Sequence, residues 1–125
     1  MRILVSGEKN NAAIERRVVF VLNWLGEHFK KADSIVEVAV VGDGVMLKNV
    51  LSFPAPVDFP HPDTKEAPLG EIRINPDYIA RAGEDFDYML IHAFLHLLGY
   101  DHKTGADAEK MEKLEKELLA LIKIG

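Results

Sequence analysis

The sequence predicts one domain of mixed strands and helices, on three observations. Its 125 residues, 48% of them hydrophobic, suit a single core. Short β-branched runs bounded by glycine or proline alternate with longer stretches whose apolar residues recur every three or four positions. Charged residues make up 28% and are mixed in sign along most of the chain, as in a folded globule rather than a disordered tail.

Ile3 to Val5, closed by Ser6-Gly7, reads as a first strand. From Asn11 the period changes: Ile14, Val18, Val21, Leu22, Leu25 and Phe29 fall on one face, with Arg16, Arg17, Glu27 and Lys30 on others, which predicts an amphipathic helix over 12–31. Ile35 to Val41 is a β-branched strand ending in the turn Gly42-Asp43-Gly44, and Asn49 to Phe53 is the next strand. Five of the six prolines lie between Pro54 and Pro68, so this stretch is expected to hold neither helix nor central strand and to form a long surface loop.

Leu69 to Asn75 alternates, with Ile72 and Ile74 on one side and Glu71, Arg73 and Asn75 on the other, expected wet, side. Asn75-Pro76-Asp77 has the chemistry of a helix start and Gly83 that of its end. A further helix runs from near Asp85 to Leu98, closed by Gly99. The last begins around Gly105 to Asp107, with Met111, Leu114, Leu118, Leu121 and Ile122 along its apolar stripe. The i,i+4 pairs Glu109/Lys113 and Glu112/Lys116 on its other faces read as solvated surface.

The net charge of -5 is uneven: residues 1–50 carry seven Lys/Arg against six Asp/Glu, and residues 51–125 eight against fourteen. An acidic total weakens a general nucleic-acid binder but leaves room for a local basic groove. The opening apolar run is too short for a secretory signal or a membrane span, so export and membrane insertion are not expected. With no cysteine in the chain, disulfides and thiolate ligands are out of reach; the absence fits a reducing, cytoplasmic setting, and a transition metal would have to use His, Asp or Glu.

Between Met89 and Leu98 every residue except His92 and His96 is apolar, so the helix should be buried nearly all round, and two buried imidazoles need partners. Four residues apart, they project side by side. Gly99 lets the chain reverse, and three more residues suffice to return His102 to the same face. A lone histidine on such a face is more often a hydrogen-bonded core residue, and the third one, at the spacing HxxxHxxGxxH, turns the balance toward one divalent ion held by His92, His96 and His102 with a water completing the tetrahedron, as in catalytic zinc sites. The spacing also matches the metzincin proteases, but Ala93 stands where the protease needs its glutamate, so peptide hydrolysis by that route is not expected.

Asn49-Val50-Leu51-Ser52-Phe53-Pro54, then Leu69-Gly70-Glu71-Ile72, then His92 through His102 with its Leu-Gly-Tyr-Asp-His ending, resemble three blocks of the YbeY-type rRNA-maturation endoribonuclease family in order and separation. The resemblance implies an α+β fold, a small mixed β-sheet of about four strands packed by helices, with a zincin-like metal-binding central helix. It implies one zinc ion on the three histidines, single-stranded ribosomal RNA as substrate, the small ribosomal subunit as a partner and a cytoplasmic location; no feature assigns an oligomeric state. The family's arginine-bearing stretch before the Leu-Ser-Phe-Pro block has no counterpart, since only Asp43 to Lys48 fills that gap. Lys48 is a poor replacement, being a point charge.

Arg73, Lys48 and Arg2 are candidates to steady phosphoryl charge, although for each plain solvation is the favoured reading. Asp101 either orients a histidine or caps its own turn. His61 lies in the proline-rich loop and His28 on the surface of the first helix. Two other classes stay open: a ribosome-associated binding module with a structural ion, and a metallohydrolase of a small substrate.

Overall fold

Both periods are realised in the fold. The computed structural model describes residues 1–56 and 66–124, in the order β1 (Arg2–Ser6), α1 (Ala12–His28), β2 (Ser34–Val40), β3 (Val50–Pro54), β4 (Ala67–Ile74), α2 (Pro76–Arg81), α3 (Phe86–Leu97) and α4 (Gly105–Ile124). The sheet runs β1-β2-β4-β3; β1, β2 and β4 are parallel and β3 is antiparallel to β4, so the expected α+β fold with a mixed four-stranded sheet is present. No helix among the described residues is long and apolar enough to cross a membrane.

Alternation sends Val36, Val38 and Val40 of β2 and Ile72 and Ile74 of β4 into one cluster with Val18, Leu22 and Leu25 of α1 and Leu90, Ile91 and Phe94 of α3. Among the described residues all four helices start on side-chain caps: Asn11 accepts from the Ile14 amide, Asn75 from Tyr78, Asp85 from Tyr88 and Thr104 from Asp107. Asn75, expected on the wet face of its strand, is fully buried because it is held in this cap. Pro76 follows Asn75 at the first helical position, as its sequence context requires.

Two boundaries depart from expectation. α1 ends at His28 rather than residue 31, because Lys30 turns left-handed at φ 57° and the Lys31 amide closes onto the Gly26 carbonyl. The proline-rich stretch gives up both ends to the sheet: Pro54 closes edge strand β3, and Pro68 sits in β4, a central strand. A bulge makes the second possible. Ile35 pairs with Pro68 and Val36 with Gly70, leaving Leu69 as the extra residue, so the missing amide falls where the ladder is already interrupted. Gly70 has φ 142°, and a Cβ there would meet the Phe53 carbonyl oxygen at 2.4 Å.

One buried carboxylate ties three helices. Asp87 near the start of α3 receives Arg17 of α1 through Nε at 2.9 Å and Nη2 at 2.5 Å, and Lys123 of α4 at 2.8 Å. The Arg17 hydrogen bond, opposed by burial and helped by Lys123, holds the Asp87 carboxyl below the usual carboxylate range. Asp87→Ala is expected to cost roughly 3 kcal/mol, the low end for breaking a buried pair because Arg17 and Lys123 keep access to water. Since folding lowers this pKa, the contribution is fully present above the ordinary carboxylate value and is lost as pH falls through the folded one. Melting curves of the wild type and Asp87→Ala should therefore converge below about pH 4.

Candidate functional site

α3 is buried against α1, α4, β3 and β4, and Leu90, Ile91, Ala93, Phe94, Leu95 and Leu97 are lost from solvent. The part-exposed side of α3, which also holds Phe86 and Met89, carries Tyr88, His92 and His96 as a stripe, one turn apart in succession. Gly99, at φ 99°, reverses the chain, while its amide and that of Tyr100 bond back to the His96 and Leu95 carbonyls. The reversal brings His102 to the stripe.

The structure thus gathers the three sequence-predicted histidines. Their ring centroids are 4.6 Å apart for His92 and His96, 5.3 Å for His96 and His102, and 6.1 Å for His92 and His102. Imidazoles sharing one tetrahedral ion through ring nitrogens have centroids roughly 5 Å apart and ligating nitrogens about 3.3 Å apart. Nε2 of His92 and Nε2 of His96 are separated by 3.2 Å. Among the described residues, no group of three or more His, Cys, Asp and Glu side chains stands in full ion-holding geometry. The donor chemistry nevertheless fits a divalent transition ion: three imidazoles, two with adjoining nitrogens, on a stripe open to water. Burial, and after it the neighbouring His92, pushes the His96 pKa below its usual value, against a hydrogen bond with the Tyr100 backbone that works the other way, which favours the neutral form a ligand needs.

The second nitrogen of His92 is engaged from α4. Nδ1 lies 2.5 Å from Oε2 of Glu115, whose Oε1 accepts from the Tyr88 hydroxyl at 3.1 Å. Burial together with the Glu115 charge pushes the Tyr88 phenol up to about 12, so it stays a donor. Asp101 instead accepts from the Lys103 amide and caps its own turn. Sequence reasoning missed Glu115 because α4 was read with Leu114 and Leu121 on its apolar stripe. The stripe actually buried is Met111, Glu115, Leu118 and Ile122, with Leu121 exposed. A glutamate at a core position of a helix was the available signal.

A groove of 440 Å3 opens beside the histidines, bordered by edge strand β3 and by Lys48, Ser52, Tyr100 and Lys103. A second space of 380 Å3, lined by Asn49, Tyr88, Met89 and Met111, reaches His92 and His102 from the α4 side. Lys48 and Lys103 are exposed, and among the described residues neither forms an ion pair. Arg73 pairs with Glu71 at 3.1 Å and lies over the Phe53 ring at 4.8 Å, on the sheet face away from the core, while Arg2 pairs with Glu66. His28 is exposed on α1, stacked on Trp24, and His61 falls outside the described residues.

The link between β2 and β3 is short and fastened: Met46 is buried, Asn75 donates to its carbonyl and to Asp43, and Asp43 pairs with Arg81 at 2.8 Å. Ser52 binds the edge strand to the helix by donating to the Ala93 carbonyl at 3.0 Å.

Fold and site together define an α+β domain that presents three converging imidazoles in an open groove with lysines at its rim. A sequence model described as Endoribonuclease YbeY matches residues 41–123, about two thirds of the chain, and the chain belongs to that family. Proteins named Endoribonuclease YbeY share 45% identity over 86 residues in Nitrobacter hamburgensis (61% of this chain, 45% of the relative). The figures are 40% over 85 residues in a Chelativorans species (62% and 52%) and 43% over 84 in Rhodopseudomonas palustris (61% and 44%). The chain spans about half the length of the curated relatives it matches.

Ser52→Ala removes the bond that joins β3 to α3 and should lower stability by about 1 kcal/mol. Hydrogen exchange at the β3 amides should quicken in the variant more than exchange in β1.

Proposed function

We propose that this chain is a metal-dependent endoribonuclease that cuts single-stranded RNA, acting in the cytoplasm on ribosomal RNA beside the small ribosomal subunit. One zinc ion would sit on His92, His96 and His102, making α3 a zincin-like metal-binding helix. The observation that carries the reading is the convergence of the three rings on a groove edged by lysines, in a chain whose relatives are named endoribonucleases. The resemblance to a family of rRNA-maturation enzymes supports the choice of RNA.

Bound there, a divalent cation supplies Lewis acidity toward a phosphoryl oxygen and lowers the pKa of water. The protein supplies position. Lys48 and Lys103 stand at the rim, where their charge attracts the phosphates on either side of a scissile bond. The Tyr100 ring, half-buried in the groove wall, offers a face on which an unpaired base can stack, a mode open to single strands. Ala93 is fully buried, so the position that carries a general base in metzincin proteases faces the core here and offers no carboxylate to the groove. Among the described residues no arginine lines the groove; two lysines hold phosphate as point charges without bidentate geometry, and binding should weaken steeply with salt.

The test is cleavage of a single-stranded ribosomal RNA fragment by the purified protein, with and without chelator, beside His96→Ala, and with metal analysis. Expected are one zinc per chain and a loss on the order of 100-fold or more on chelation or in the variant. Lys48→Ala with Lys103→Ala should raise KM several-fold with a smaller effect on kcat. Cutting that persists in His96→Ala, or a chain purified from zinc-replete medium without stoichiometric metal, would sink the proposal.

A further inference from the structure

Glu115 is 4% exposed, and among the described residues no lysine or arginine pairs with it. Its two oxygens meet a neutral phenol, Tyr88, and one nitrogen of His92. A buried carboxyl group needs partners for both oxygens, and here a phenol and an imidazole provide them. Asp87 shows how this chain otherwise treats a buried acid, giving it both an arginine and a lysine. Glu115 has instead the His92 ring, and the other side of that ring is turned to the histidine cluster. There the Nε2 atom of His92 faces that of His96 at 3.2 Å.

We propose that Glu115 is the positioning residue of the metal centre: it holds His92 as the Nδ1–H tautomer and turns the Nε2 lone pair toward His96 and His102. This rests on the metal reading of the previous subsection. The Nδ1–H group donates to Oε2, and with the proton kept on that nitrogen Nε2 is left free to ligate. Tyr88, one turn before His92 on α3, holds the other oxygen and fixes the plane of the carboxylate. Because Glu115 comes from α4 and the histidines from α3 and the turn after it, the pairing also links the ion to the packing of two helices.

Two measurements test the assignment, one of them without metal. In metal-free wild type at mildly alkaline pH, the ring-nitrogen signals of His92 should show the Nδ1–H tautomer; in Glu115→Ala both tautomers should be populated. Zinc affinity, read by competition with a chromophoric chelator, should fall about 10- to 100-fold in Glu115→Ala. It should fall less in Glu115→Gln, which keeps an acceptor oxygen without the charge, and least in Tyr88→Phe. Wild-type His92 in the Nε2–H form, or zinc affinity unchanged in both Glu115 variants, overturns the proposal. So does a Glu115→Gln protein that melts lower without metal and binds zinc as the wild type does, since that marks a purely structural role. If Glu115→Ala does not fold, Glu115→Gln and the wild-type tautomer decide. A wild type that takes up no zinc brings down the metal reading, while the tautomer comparison still decides the placing of Glu115.

Discussion

Helix α3 has one stripe that water can reach, and its two histidines lie on it. The other sides are committed to apolar contact with α1, α4 and the sheet, through Leu90, Ile91, Phe94 and Leu95. Rotation by a single residue, about 100°, would bury both imidazoles without partners and bring leucine and phenylalanine to water. Fully burying each such side chain is worth roughly 1.5–3 kcal/mol, so the direction of His92 and His96 follows from where the rest of the helix has to be. Its height is set independently, by Asp87 at the first turn and by the Ser52 bond to the Ala93 carbonyl in the middle. Gly99 then determines where the chain turns back and brings in the third ring.

The features legible in the sequence were those that short-range chemistry specifies. The strands and helices show in their periods, the α2 start in Asn75-Pro76, and the histidine cluster in a helical spacing followed by a glycine. The α+β class and the mixed sheet came with the family resemblance, because periodicity does not say which strands are neighbours, and β3 reaches the sheet edge by pairing with β4. Pro68 could not be placed in a central strand from its residue type, since what admits it is a bulge next to Gly70, packed against the Phe53 carbonyl from another strand. Asp87 and Glu115 look like surface acids of a first turn and of a charged helix. Both are buried by helices distant in the chain, which also supply the partners that decide what each one does.

The groove is built from segments that have little in common locally. Edge strand β3 offers a wall because nothing pairs with its outer side among the described residues, and the turn after Gly99 offers the opposite wall with Tyr100 and Lys103. Lys48 comes at the end of a link that is short but not loose. Met46 plugs it into the protein, and the fully buried Asn75 holds it by bonding its carbonyl and Asp43 while also capping α2. One side chain therefore sets both the rim of the groove and the start of a helix on the far side of the strand. Val45 and Leu47, on either side of the buried Met46, are left exposed beside that rim.

The matched residues 41–123 contain β3, β4, α3 and nearly all of α4, hence all three histidines, both rim lysines, Ser52, Tyr88 and Glu115. They do not contain what closes the back of α3. Val18, Val21, Leu22 and Leu25 of α1, and Val36 and Val38 of β2, fill the core behind Ile91 and Phe94, and Arg17 supplies the bidentate half of the Asp87 clamp. The residues that touch the site thus lie in the matched segment, whereas part of what aims it, the α1 and β2 core and Arg17, lies before it. That outer part rests on volume, apolar burial and one guanidinium, demands that many sequences satisfy, since cores accept extensive hydrophobic exchange when volume and pattern are kept. The groove side asks for particular donors at fixed separations, which few substitutions preserve, and it is on that side that this chain carries the family's recognisable residues.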